Sequence, residues 1–150
     1  MAQSLTHILI HLIFSTKERY PFLTPSIRPE LHAYAATVLT SLDSPAILLN
    51  SVEDHVHALL RFSKNRAFSG VVQELKTSTS KWLKTKGGML SKFAWQNGYG
   101  AFSVSASQLT SVRDYIADQE MHHQTVTFQD EFRTFLSRHG VEFDERYVWG

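Results

Sequence analysis

Cysteine is absent from the chain, and with it go disulfide scaffolding and thiolate-ligated zinc. Any metal must be held by histidine, carboxylate, amide or water. No apolar run approaches the roughly 18 residues that a membrane span requires. The apolar stretch from Ile8 to Phe14 is interrupted by His11, with no basic segment before it and no small-residue cleavage site after it, so it does not read as a signal peptide. The pair Gly87-Gly88 lacks the lysine and hydroxyl pattern of a phosphate-binding P-loop. Internal repeats and low-complexity segments are also missing. These absences leave the expectation of a soluble cytoplasmic protein without a membrane partner or a small-molecule cofactor.

What is present fits one hydrophobic core. The 150 residues are 43% hydrophobic, enough for one ordinary domain and short for two, so residues 1–150 are read as one domain. The net charge of +1 hides an uneven distribution. Residues 61–92 carry eight basic side chains and one acidic one, whereas the segments on either side are net acidic. A local field of that kind attracts polyanions, although a solvated helix face has the same composition.

Hydrophobic periodicity predicts a strand from about Leu5 to Ser15 and a helix from Ile27 to Leu42 that Thr24 or Ser26 caps. A strand at Ala46 to Val52 follows, then a second at 55–62, a helix at Phe68 to Lys84 and a strand near 101–105. Ser107 caps a third helix running from Gln108 to about His123. A fourth helix turns Phe128, Phe132, Phe135 and Leu136 inward and stops at Gly140. The order βαββαβ predicts an α+β fold of the ferredoxin-like kind: an antiparallel sheet with helices on one face, a free opposite face, and added C-terminal helices. The tail after Gly140 is expected to pack on the body or on a partner subunit.

Two patterns carry chemistry. In the predicted strand 55–62, alternation sends His55, His57, Leu59 and Arg61 to one face, and Val56, Ala58, Leu60 and Phe62 to the other. Two imidazoles side by side can share a metal ion, although His-X-His pairs also arise by chance. Their softness favours zinc, nickel or copper. His7 and His11 read as polar members of a sheet face. On the third helix Tyr115, Gln119 and His122 fall on one stripe. A tyrosine there is commonly a core-boundary residue, yet a phenol can also store a phosphodiester as phosphotyrosine, splitting one hard step into two.

The strand "HVH", the later "YIADQ", the intervening "WQNGYGAFSVS" and the following "QEMHH" together resemble the HuH single-tyrosine transposases, over nearly the whole chain. The resemblance implies a homodimer acting on single-stranded DNA hairpins, in which the tyrosine helix of one subunit can complete the histidine site of the other. It implies Tyr115 as the nucleophile, His55, His57 and Gln119 as metal ligands, and magnesium or manganese as the metal. Lys17, Arg19, Lys76, Lys81 and Lys84 are the candidate DNA-backbone contacts. The chain departs from the family pattern at Ala58, Thr77 and Met121, none of which removes a catalytic group. Three other readings remain open: a non-catalytic single-stranded nucleic-acid-binding module stacking bases on Tyr99 and Phe102, a domesticated repeat-hairpin endonuclease, and a small hydrolytic metalloenzyme.

Overall fold

Alternation along the histidine strand decides how the molecule is layered. In the computed structural model, which describes residues 2–150, this strand is β3, His55–Arg61. Val56, Ala58 and Leu60 enter the main core, whereas His55, His57 and Leu59 are buried on the opposite face. The first strand, β1 (Leu9–Ser15), lies antiparallel to β3 on one side and to β4 (Gly100–Val104) on the other; β2 (Ala46–Ser51) pairs with the outer edge of β3. The order β2-β3-β1-β4 is the ferredoxin-like arrangement expected from the pattern of elements.

Helices α1 (Arg28–Ser41) and α2 (Phe68–Lys84) cover one sheet face. Leu31, Ala35 and Leu39 of α1, with Val71, Val72, Leu75 and Leu83 of α2, pack against Leu12, Phe14, Val56, Ala58 and Leu60. At roughly 25 cal/mol per Å² of apolar surface, burial on this scale is the main term holding the layers together.

The opposite face is covered rather than free. After α3 (Leu109–Ala117) and α4 (Gln119–His122), α5 (Phe128–Arg138) lays Phe128, Phe132 and Leu136 over Ile13 and Phe102 to form a second core. The aromatic stripe legible in the sequence has to be buried, and this face is where it goes. Thr127 caps α5 by accepting the Asp130 amide at 3.2 Å, and Gly140, at φ +66°, ends the segment. The tail packs on the body: Val148 and Trp149 join the second core, and the Gly150 carbonyl accepts the Gly98 amide at 3.1 Å.

Three further details differ from expectation. The first strand begins at Leu9, not Leu5, because Leu9 already faces the last residues of both neighbours, Arg61 and Val104, and Leu5 is left exposed. Neither Thr24 nor Ser26 caps α1, whose N-cap is Ile27, and Ser107 lies in a 3-10 turn (Ala106–Gln108) ahead of α3. Finally, the third helix breaks at Asp118 (φ −101°, ψ 22°), so Tyr115 ends one helix and Gln119 starts the next. Asn50 of β2 steadies that break by donating to the Ile116 carbonyl at 2.7 Å, and Ile116 is the one buried residue of α3. Among the described residues no helix is long and apolar enough to cross a membrane.

Candidate active site

The site is built on the covered face, where strand, α3, α4 and α5 converge. His55 and His57 are fully buried, with ring centroids 5.2 Å apart. The His55 Nδ1–H donates to Asp54 Oδ1 at 2.7 Å, and the His57 Nδ1 shares a 2.7 Å hydrogen bond with His11 Nε2. The register explains the second contact: His11 lies opposite Leu59 and Ile13 opposite His57, so the two histidines are diagonal neighbours. His123, just past α4, donates its Nδ1–H to the Val126 carbonyl at 2.6 Å. With Nδ1 engaged on all three rings, each Nε2 is turned to one point.

That point is Glu131 of α5. Its Oε1 lies 2.9 Å from His57 Nε2, 3.3 Å from His55 Nε2 and 3.1 Å from His123 Nε2. Its Oε2 accepts the Tyr115 hydroxyl in a short hydrogen bond and lies 3.4 Å from His122 Nε2. Tyr115 Oη is itself 3.0 Å from His122 Nε2. Tyr115 thus meets the histidines of its own chain.

Electrostatics follow from burial and from this one carboxylate. Burial lowers His57 to about 4, against the opposing pull of Glu131, and lowers His11 well below its ordinary value. At His55 burial acts the same way, but the carboxylates of Asp54 and Glu131 outweigh it and the pKa is raised. Glu131 is held far below the usual carboxylate range: burial opposes ionisation, and His123, His55 and His57 together overcome it. The Tyr115 phenol is pushed well above its ordinary value, first by burial and then by its bond to Glu131. The resting hydroxyl is therefore neutral.

The donor set fits a metal ion. His55 Nε2, His123 Nε2 and Gln119 Oε1 are buried without a hydrogen-bond partner, each a cost of about 1–3 kcal/mol unless something meets it. For His55 and His123 the Nδ1 partner is an oxygen that only accepts, so Nδ1 carries a hydrogen, and the neutral form of either ring turns an Nε2 lone pair toward the carboxylate. Positive charge relieves that repulsion: a proton on the ring, towards which the raised His55 pKa points, or a divalent cation. The ligand atoms of His55, His57, His123 and Glu131 all lie within 4.8 Å of one another.

Of the residues singled out in the sequence, His55, His57 and Tyr115 are brought together through Glu131; Gln119 is fully buried beside Tyr115, its Nε2 donating to the Tyr115 carbonyl at 3.3 Å. The basic candidates lie elsewhere. Lys76, Lys81 and Lys84 project from α2, beyond the opposite sheet face, into a groove of about 580 Å³ that Gln73, Thr77, Ser80, Trp95 and Asn97 also line. Lys76 is already committed there, donating to the carbonyls of Gln96 at 2.9 Å and Gly98 at 2.6 Å, and burial lowers it to about 8. Lys17 is exposed, and the Arg19 guanidinium lies 5.8 Å over the Trp149 ring. Sequence reasoning did not single out Glu131, His123 or Asp54, and took His11 for an ordinary polar member of the sheet.

Fold and site together define a metal-binding HuH-type enzyme acting on DNA. A family model described as "Transposase IS200 like" matches residues 4–119, and the chain belongs to that family of single-tyrosine transposases. Among solved structures, it is similar to a provisionally assigned transposase from Deinococcus radiodurans R1, with 21% identity and a TM-score of 0.62 over 79% of this chain and 98% of that one. It is also similar to a REP-associated tyrosine transposase bound to a REP hairpin, with 16% identity and a TM-score of 0.60 over 84% of this chain and 76% of that one. No curated protein sequence matches it.

Proposed function

We propose that residues 1–150 form one transposase domain that cuts and rejoins single-stranded DNA at hairpin ends through a phosphotyrosine on Tyr115. The observation that carries this reading is the convergence of the Tyr115 hydroxyl with buried His55, His57 and Glu131, groups drawn from distant parts of the chain. Tyr115 Oη attacks the scissile phosphorus; the bond to the 3′ oxygen breaks, giving a 5′-phosphotyrosine and a free 3′-hydroxyl. The phenol gives up one proton and the departing oxygen gains one. Attack by another 3′-hydroxyl reverses the step at a new junction, and no external energy source is needed because the phosphodiester is conserved.

His55, His57 and Gln119 would hold the cation, for which magnesium or manganese is the family expectation. Such a cation withdraws charge from the phosphate oxygens as the bond forms. Burial around Tyr115 excludes water that would otherwise compete for the phosphotyrosine. Lys81 and Lys84 would contact the DNA backbone along the α2 groove, with Lys17, Arg19 and Lys76 as weaker contributors. The enzyme would work as a cytoplasmic homodimer on hairpin DNA, a substrate that the REP hairpin bound by the similar REP-associated transposase supports. A base-stacking module is disfavoured, because Phe102 is buried against Phe135 and His139 instead of facing solvent.

Labelled hairpin DNA incubated with the protein and magnesium or manganese should yield a covalent adduct on denaturing electrophoresis, mapping to Tyr115 and missing in Tyr115→Phe. No adduct with either metal, across a panel of hairpins including the native element end, would overturn the reading.

A further inference from the structure

Glu131 is not absorbed by that mechanism. It lies beyond residue 119, where the family match ends, on a helix that the βαββαβ unit does not require. Yet it is 2% exposed, and among the described residues it alone touches both the histidine cluster and the tyrosine through two separate oxygens. A carboxylate is buried this deeply only when paired.

Two roles are conceivable for Oε1: a stand-in at the metal position, or a ligand beside it. Carboxylate chemistry favours the second: a buried carboxylate oxygen within ligand-to-ligand reach of three imidazole nitrogens is itself a strong donor to a divalent ion. Neighbouring ligand atoms bonded to one divalent ion at about 2.0–2.2 Å lie roughly 2.8–3.6 Å from one another in octahedral or tetrahedral shells. Oε1 is 2.9, 3.3 and 3.1 Å from the three Nε2 atoms, the spacing of one ligand from its fellows.

We propose that Glu131 ties the nucleophile to the metal centre: Oε1 is a protein ligand alongside His55, His57 and His123, while Oε2 positions the Tyr115 hydroxyl. Filling the metal site therefore fixes Tyr115 at the same time. The role of Tyr115 as nucleophile rests on the function proposed above; the ligand assignment does not. Glu131 is a positioning residue for Tyr115, and His123 extends the ligand set through α4.

The test measures metal and tyrosine separately. Zinc and manganese(II) affinities are taken by calorimetry on the full chain. The Tyr115 environment is followed by 19F NMR of fluorotyrosine-labelled protein, its resonance identified by Tyr115→Phe. Glu131→Gln should weaken both metals at least tenfold and abolish the shift of the Tyr115 resonance on zinc saturation. His123→Ala should weaken metal binding at least tenfold while the saturated protein keeps that shift. If Glu131→Gln does not fold, Glu131→Asp, which keeps the charge but shortens the reach, should retain part of the affinity and lose the shift. A less than tenfold loss in Glu131→Gln, or an unaltered shift, overturns the proposal. Failure of the wild type to form a DNA adduct would instead strike the chemistry and leave the metal result standing.

Discussion

At the scale of single residues, the site depends on groups that never touch the metal. Asp54 fixes the His55 ring and its tautomer, as carboxylates behind metal-bound histidines commonly do. Asp54→Asn should lower metal affinity about 10- to 100-fold by calorimetry, a loss typical of such outer partners, with the fold intact by circular dichroism. The buried imidazoles also set how the metal-free protein answers to acid. His57, lowered to about 4 by burial, resists a proton that the unfolded chain accepts near 6.5. Its contribution is full above that value and is lost as pH falls towards 4, with a ceiling of about 3 kcal/mol. His11 acts in the same direction, whereas raised His55 favours the native state below its unfolded value. His32, also lowered by burial, adds to the same side, so the melting temperature of chelator-treated protein should fall between pH 7 and pH 5, and fall less in His11→Gln.

At the scale of elements, the approach of α5 to β4 brings Glu131 into place. Gly100 leaves room for the Phe132 ring, and a Cβ there would run into it. Gly100→Ala should cost about 1–3 kcal/mol, as overpacking does, and should also weaken metal binding, since Phe132 is next to Glu131 along the helix. Thermal melts and calorimetry check both. Elements are also where the sequence was most and least informative. Strand alternation identified which face of β3 carries His55 and His57, and the order of elements identified the sheet, because both are local signals. Glu131 was hidden because an acid on an amphipathic helix ordinarily faces water. Its position, three residues after Phe128 and four before Phe135, lies on the buried stripe, a placement available in the sequence that only its distant partners make meaningful. The break at Asp118 has neither proline nor glycine to announce it.

At the scale of the whole molecule, charge and chemistry occupy opposite sides of one sheet. The protein is near neutral overall, yet Lys81 and Lys84 stand exposed along the α2 groove. Replacing both with glutamine should weaken single-stranded DNA binding at low salt and reduce the slope of log affinity against log salt by about 1.4, or ~0.7 for each lost phosphate contact. Metal affinity, on the other side of the sheet, should not change. Stability too is unevenly shared. Helix α3 has one buried side chain, Ile116, and is held by Asn50 and by the hydrogen bonds of Tyr115 to Glu131 and His122, whereas β1 and β3 are buried almost throughout. Amide hydrogens of α3 should therefore exchange with solvent far faster than those of β1 and β3, by local opening instead of global unfolding. The tyrosine rides on a lightly buried helix, so displacing that helix would cost mainly the contacts of Ile116, Asn50 and Tyr115 itself.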